Sequence, residues 1–172
     1  MKQLVLFFGL FAMISIQASA QKNSSPANYK TAIGIRTNPY LIGFTVKHFI
    51  AGPHAIEGIA STNFSRQNNF TVTGLYEYNW NVFGKKEFVM YAGGGVHVGV
   101  YDRYDYYNDD IDRLRDGSYA SVGLDGIFGL EYKFNKIPLV VSADVKPYVN
   151  FNNGTHHIGE EIFGASARYT FR

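Results

Sequence analysis

Ionisable side chains recur at alternate positions along several apolar segments of this 172-residue chain. Charged groups can leave water when they are paired and hydrogen-bonded. If the alternate positions share one face, these residues predict a charge-paired network in the interior of the protein. The set has five basic residues, five acidic residues and one histidine: Arg36, Lys47, Lys133, Lys146, Arg168, Glu57, Glu77, Asp125, Glu131, Asp144 and His97.

The clearest alternation lies in residues 119–134, YASVGLDGIFGLEYKF. The even-numbered positions are apolar, whereas the odd-numbered ones include Asp125, Glu131 and Lys133. A β-strand directs successive side chains to opposite faces, so one face of this segment is apolar and the other is charged. Its length exceeds the roughly 9–11 residues that a tilted strand needs to cross a bilayer. The segment therefore predicts a transmembrane strand with lipid on the even side and a polar interior on the odd side.

Seven further segments have the same period of two, and their connections alternate between tight turns and longer loops, of which 102–118 is the longest. Short turns at one end and longer loops at the other are typical of outer-membrane barrels. The predicted fold is all-β: a closed, eight-stranded, antiparallel, up-and-down transmembrane β-barrel over residues 31–172. The seven segments are 31–37, 43–49, 54–64, 69–81, 87–101, 138–151 and 162–171.

The first 20 residues are typical of a secretory signal peptide that is cleaved after Ala20. Lys2 precedes an apolar stretch from Leu4 to Ile16, and residues 18–20 give a small-x-small cleavage pattern. Residues 21–30 are polar, contain a proline and are predicted to form a flexible leader. The absence of cysteine excludes disulfides and a lipoprotein-type anchor.

Composition indicates one domain and argues against a nucleic-acid partner. Roughly 150 residues follow the predicted signal peptide, which is enough for a single domain. The formal net charge of +2 gives no basic surface for nucleic acid. Aromatic residues at outward positions near the tight turns and the C-terminal strand end predict a girdle at one membrane interface. They are Tyr78, Trp80, Phe88, Tyr132, Phe134, Tyr169 and Phe171.

An eight-stranded barrel has an interior just wide enough for side chains to fill. The alternating charges therefore predict a lumen plugged by ion pairs, with a narrow ion or proton path as the functional alternative. Parity alone does not decide which face is inside. A soluble periplasmic or secreted lipocalin-like barrel remains the alternative hypothesis, with the even residues of 119–134 lining a cavity for a small apolar ligand.

With these eight segments, the chain resembles the small eight-stranded outer-membrane β-barrel proteins of Gram-negative envelopes. The stretches HAIEGIASTNF, TGLYEYN, YAGGGVHVG, GLDGIFGLEYKF and ARYTF are similar to an uncharacterised, porin-like branch of that family, for which no activity is implied. The resemblance implies contact with outer-membrane lipid and lipopolysaccharide. It also implies that the insertion machinery reads Tyr169 and Phe171, although Arg172 takes the final position, where the family normally has an aromatic residue.

Some barrels of this kind modify lipopolysaccharide, so a lipid-modifying enzyme is a third hypothesis. A hydrolase needs a serine nucleophile, a histidine base and an acidic partner close together. His97 points inward and has Gly99 rather than a serine two residues on, and His156 and His157 lie in a loop. We therefore predict no catalytic residues, no cofactor and no enzymatic activity.

The loop 102–118 contains six aspartates and three tyrosines, and Tyr101 comes directly before it. Its carboxylates lack the spacing of a calcium-binding loop, so no metal site is predicted. The tyrosines make this loop a candidate surface for an extracellular ligand. The sequence thus predicts an integral outer-membrane barrel with a structural or surface-interaction role, exerted through the loops 102–118 and 152–159.

Overall fold

The computed structural model describes residues 25–38, 41–63, 70–102, 118–151 and 162–171. These ranges contain nine strands and no helix that is long and apolar enough to cross a membrane. The strands are β1 (Thr31–Thr37), β2 (Leu41–Ala51), β3 (His54–Asn63), β4 (Phe70–Asn81), β5 (Phe88–Asp102), β6 (Ser118–Lys133), β7 (Leu139–Val145), β8 (Tyr148–Asn150) and β9 (Phe163–Phe171).

The sheet closes on itself, because β9 pairs with β1 in an antiparallel register from Thr31↔Phe171 to Thr37↔Ala165. Every other barrel strand pairs antiparallel with the strands before and after it. Since β7 and β8 are two parts of one barrel strand, the barrel has eight strands. The predicted fold, a closed eight-stranded antiparallel barrel, is confirmed.

The seventh barrel strand differs from the prediction of one continuous strand over 138–151. It is interrupted at Lys146 and Pro147, because proline has no N–H to donate to a neighbouring strand. The register of β6 nevertheless continues from β7 to β8, and the Gly126 N–H donates to the Pro147 carbonyl at 2.8 Å. The second strand, in contrast, is longer at both ends than the predicted 43–49.

Burial alternates along much of the barrel strands and shows which face is inside. In β6, Asp125, Ile127 and Glu131 are buried, whereas Leu124 is 50% exposed and Phe128 is 47% exposed. The interior therefore contains the charged parity, and the apolar parity faces outward. The alternative of an apolar ligand cavity lined by the even residues of 119–134 is wrong, because those side chains point away from the lumen.

Connections of two to six residues join the strands at one end of the barrel, at 52–53, 82–87 and 134–138. We call this the short-turn end, and the opposite end the long-loop end. The connections at the long-loop end cover 38–40, 64–69, 103–117 and 151–162. The predicted ligand loop 102–118 and the loop 152–159 lie almost entirely outside the described residues.

Residues 25–30 enter the short-turn end of the barrel, unlike the flexible leader predicted for 21–30. Ala27 and Tyr29 are buried, and the Tyr29 ring packs edge-on against Phe49 at 5.2 Å between centroids. The Lys30 N–H donates to the Phe171 carbonyl, and its own carbonyl accepts from Phe49. An apolar ring with a hydroxyl tip suits a mixed interior, which explains the packing. The predicted signal peptide lies outside the described residues.

The seam between the first and last strands gives a direct test of closure. Ile35 and Ala167 are directly paired outward positions on β1 and β9. Directly opposed residues have Cβ atoms about 4.5–5.5 Å apart, close to the spacing that a disulfide needs. Because the chain has no cysteine, we expect the double variant Ile35→Cys/Ala167→Cys to form one intramolecular disulfide on oxidation, detected by mass spectrometry of the folded protein.

The matched control pairs Ile35→Cys with Phe163→Cys, which lies four residues further along β9. The extra separation, about 13 Å at the usual rise per residue, prevents a bond. Equal cross-linking of the two variants, or none in either, would contradict the closed register.

Candidate functional site

Ten of the eleven ionisable residues selected from the sequence are buried in the barrel interior. The exception is Lys133, which is half-buried at the last position of β6. Its Nζ donates to the carbonyl oxygens of Phe134 and Ile137, in the turn that follows. Lys133 therefore lies at the short-turn rim, because its strand ends there.

Arg168 of β9 is the centre of a cluster of buried charges towards the short-turn end. We call it the lower cluster, and it consists of Lys47, Glu57, Glu77, Glu131 and Arg168. Its Nη2 donates to Glu57 Oε1 at 2.5 Å, and its Nη1 lies 3.5 Å from Glu131 Oε2. Hydroxyl groups complete the shell: Ser142 accepts from Nη1 at 3.1 Å, and Thr45 accepts from Nε at 3.3 Å. One guanidinium thus joins strands on opposite sides of the lumen.

Lys47 of β2 is the second cation of the lower cluster. Its Nζ lies 2.8 Å from both Glu77 Oε2 and Asn79 Oδ1, and 3.5 Å from Glu131 Oε2. It also lies 4.1 Å from the centroid of the Tyr91 ring, within range of a cation–π contact. Both polar and aromatic groups therefore replace the water that this ammonium has lost.

Tyr29 closes the lower cluster from the short-turn end. Its hydroxyl donates to Glu131 Oε1 at 2.8 Å. Burial, followed by the charge of the Glu131 carboxylate, raises the pKa of Tyr29 well above its ordinary value. The hydroxyl consequently remains a hydrogen-bond donor at any physiological pH.

A second ion pair joins β1 to β7. Arg36 binds Asp144 through both terminal nitrogens, with Nη2 donating to Oδ1 at 2.5 Å and Nη1 bonded to Oδ2. The Tyr91 hydroxyl donates to the same carboxylate at 3.1 Å. A bidentate arginine–carboxylate pair fixes orientation as well as charge.

The third group lies nearer the long-loop end and is centred on Asp125. Its Oδ1 accepts from Lys146 Nζ at 2.8 Å, and its Oδ2 lies 2.7 Å from His97 Nδ1. His97 Nε2 lies 2.7 Å from Asn150 Oδ1. The imidazole thus contacts an amide where a hydrolase would have a serine hydroxyl, and it is 3% exposed.

A buried apolar cluster lies between the lower cluster and the Asp125 group, beside the Arg36–Asp144 pair that Tyr91 contacts. Ile59, Leu75, Tyr91 and Ile127 form one buried cluster inside the barrel. On β3 and β4, Ile59 and Leu75 are each two residues closer to the long-loop end than Glu57 and Glu77. We call these four residues the apolar layer.

Inward-facing glycines provide the space for the largest lumen side chains. A Cβ at Gly129 would collide with the Tyr91 ring, and one at Gly164 would collide with the Arg36 guanidinium. A Cβ at Gly123 would likewise meet the His97 ring. At these three positions on the polar parity, the glycine in the sequence is therefore a packing signal, because it makes room for a specific bulky side chain.

The seven aromatic residues of the predicted girdle lie near the short-turn end and form contacting groups. Ring centroids are 4.9 Å apart in both the Phe88–Tyr132 and Tyr132–Phe134 pairs, and 5.0 Å apart for Tyr169–Phe171. Tyr78 and Trp80 are 6.2 Å apart. His54, which sequence reasoning did not select, stacks on Tyr76 and meets Tyr78 edge-on.

Several other residues of the lumen are not among the eleven residues of the predicted charge network. They are uncharged or, like Tyr29, lie outside the strands. Tyr91, Asn79, Thr45 and Ser142 have the inward parity, which was the available signal. Within the described ranges, no group of three or more potential ligands is arranged to hold a metal ion. His156, His157, Glu160 and Glu161 lie outside those ranges.

None of the protein-family models matches this sequence, and none of the curated proteins matches it. Among solved structures, the chain is similar to the N-terminal β-barrel domain of Pseudomonas aeruginosa OprF. The two share 14% sequence identity with a TM-score of 0.64, over 82% of this chain and 96% of that chain. At this identity the similarity concerns the fold, and it agrees with the eight-stranded barrel described above.

Removing the guanidinium tests how far the lower cluster depends on Arg168. Arg168→Met leaves buried carboxylates without their main partner, and we expect it to reduce the free energy of unfolding by about 3–5 kcal/mol. Equilibrium urea unfolding of the protein in lipid vesicles measures this change.

Lys86→Met is the control, because Lys86 is an exposed cation in a turn and its loss should change the free energy of unfolding by less than about 0.5 kcal/mol. In Arg168→Met/Glu57→Gln, the carboxylate nearest to the missing cation is also neutral, so part of the stability should return. Equal stability of Arg168→Met and the parent protein would contradict the central role of Arg168.

Proposed function

We propose that this protein is an integral β-barrel of the outer membrane with a sealed lumen, which has a structural or surface-interaction role at its long-loop end. One observation carries the proposal: the apolar side chains of the described strands cover the outside of the barrel, while charged side chains fill the inside. This arrangement suits a protein whose outer surface meets lipid.

The outer surface is apolar on every barrel strand. Soluble monomers rarely expose contiguous apolar patches of more than a few hundred Å², whereas a membrane barrel requires such a band around its whole circumference. With 15 and 16 residues, β5 and β6 are long enough to cross the bilayer. Side chains that are at least 45% exposed include Ile35, Phe44, Ile56, Phe70, Tyr76, Val96, Val98, Val122, Leu124, Phe128, Val149 and Tyr169.

The aromatic girdle supports an orientation with the short-turn end at the periplasmic interface. Aromatic belts mark the level of the lipid headgroups, and short turns face the periplasm in outer-membrane barrels. Tyr169 and Phe171 then lie at the periplasmic end of the last strand, where the insertion machinery meets the chain. The predicted cleaved signal peptide and the OprF-like fold both support an outer-membrane location.

A sealed lumen is supported by three successive barriers. Residues 25–30 cover the short-turn end, the lower cluster fills the section above them, and the apolar layer follows. The side chains of Lys47, Glu57 and Glu77 have no solvent exposure. Ions crossing this section have to displace paired charges and then pass aliphatic side chains, which favours a closed barrel over a conducting path.

The loops 102–118 and 152–159 connect strands at the long-loop end, and the proposed surface role belongs to them. The tyrosines and carboxylates of 102–118 suit an extracellular ligand, while the lipid face suits contact with lipopolysaccharide. A lipid-modifying activity has less support, because His97 is enclosed in the lumen and contacts Asp125 and Asn150.

A charge on the outer face distinguishes lipid from water. Leu124 is outward-facing near the middle of β6, so we expect Leu124→Arg to reduce the free energy of unfolding in lipid vesicles by about 2–4 kcal/mol, the cost of arginine at the bilayer midplane. Urea unfolding followed by tryptophan fluorescence measures it.

Ile137→Arg is the matched control, because Ile137 is similarly exposed but lies in a turn at the short-turn end. Arginine near the membrane interface costs only about 0–1 kcal/mol. If Leu124→Arg were as harmless as Ile137→Arg, the outer face would be in contact with water and the membrane proposal would fail.

The sealed lumen predicts the absence of discrete ion conductance. Purified protein in a planar lipid bilayer should show no stepwise current in potassium chloride, under conditions in which an open porin does. A parallel assay of insertion by protease protection confirms that the protein is in the bilayer. Reproducible current steps from inserted protein would contradict the seal.

A further inference from the structure

The lower cluster contains one more carboxylate than cations. Among the described residues, Glu57, Glu77 and Glu131 form ion pairs with two cations, Lys47 and Arg168, and the side chains of all five are fully buried. Arg36 also lies near Glu57, but its charge is balanced by Asp144. An uncompensated charge in such a place is strongly disfavoured, and the group then neutralises. A negative charge must therefore be cancelled inside this cluster, or a small cation must bind to it.

Unpaired atoms locate the excess charge. Both carboxylate oxygens of Glu77 and Oε2 of Glu57 are buried without a hydrogen-bond partner. Lys47 lies near Oε2 of Glu77 as an ion pair, which leaves Oε1 of Glu77 without a described hydrogen-bond donor. Buried oxygen atoms of this kind require a donor, and neither ionised carboxylate can donate to the other.

The strand register brings these two glutamates together. Glu57 is paired with Leu75, and Ala55 with Glu77, so the glutamates are diagonal neighbours on the inner face of β3 and β4. Diagonal neighbours are within reach of long side chains, and the two carboxyl groups lie within hydrogen-bonding range of each other. Like charges at that distance do not both remain ionised.

We propose that Glu57 and Glu77 form a proton-binding site in the lumen, in which the two carboxyl groups share one proton. The proton is on Oε1 of Glu77 and is donated to Oε2 of Glu57, while Oε2 of Glu77 still accepts from Lys47. The lower cluster then has two cations and two carboxylates. Each of the two unpaired oxygens gains a partner.

The surroundings of the pair are consistent with one bound proton. The charged and titratable groups that face it are Arg36 from β1, Lys47 from β2, Tyr91 from β5, Glu131 from β6, Arg168 from β9 and Tyr29 from the segment before β1. All three cations are engaged with carboxylates, Arg36 with Asp144, and the Tyr29 hydroxyl donates to Glu131 rather than to the pair. No described donor is therefore available to Oε1 of Glu77.

Infrared spectroscopy of the full chain in lipid vesicles tests this site. We expect the parent protein to show the carbonyl stretch of a buried carboxylic acid at neutral pH, where exposed carboxyl groups are ionised. Glu77→Gln should abolish this band. Glu57→Gln should also abolish it, although Glu77 is intact, because two carboxylates then face two cations and Glu77 ionises.

Glu87→Gln is the control, because Glu87 is a partly exposed carboxylate in a turn outside the lumen, where it accepts a hydrogen bond from Asn135, and its loss should leave the band unchanged. Gel migration of unheated samples verifies that each variant is folded. The proposal is overturned if the parent protein lacks the band, if the band survives both lumen variants, or if it appears only after sodium is removed, which would assign the site to a metal cation. Ion conductance with an intact band would contradict the sealed lumen alone.

Discussion

The contact between Arg168 and Glu57 is the interaction on which the interior of this barrel depends. It joins the last strand to the third across the lumen, and its donors also reach Ser142 and Thr45. In an eight-stranded barrel the interior is too narrow for bulk water, so charged groups have to find partners among themselves. The geometry of Arg168 is what makes five buried ionisable groups tolerable in one section.

The inward network and the outward apolar surface are two consequences of one sequence pattern. A strand with a period of two has to place one parity inside, and closure of β1 on β9 fixes that choice for the whole sheet. Glycines at inward positions then make room for Arg36, Tyr91 and His97. The barrel therefore has a polar core and an apolar exterior, the reverse of a soluble protein of the same size.

Much of this arrangement could be predicted from sequence, because alternation is a local signal. The parity of 119–134 was sufficient to place Asp125 and Glu131 together on the face that the structure buries, and the eight periodic segments gave the strand count. The partner of each charged residue could not be predicted in the same way. The contact between Arg168 and Glu57 depends on the register across the closed sheet, and no local sequence pattern contains that register.

The remaining differences have local physical reasons. Tyr29 lay in a polar segment without periodicity, so its insertion beside Glu131 had no sequence signal. Pro147 interrupts the seventh strand because it lacks an N–H, a break that its presence in the sequence could have indicated. Lys133 shares the parity of the lumen residues but ends its strand, and parity does not report depth along the barrel.

The central claim is that a closed barrel with a paired interior resides in the outer membrane. Separation of the inner and outer membranes, with gel migration compared before and after boiling in detergent, tests this claim most directly. A sealed outer-membrane barrel predicts that the protein is found in the outer-membrane fraction and migrates differently when heated. A soluble periplasmic protein whose migration is unchanged by boiling would contradict it.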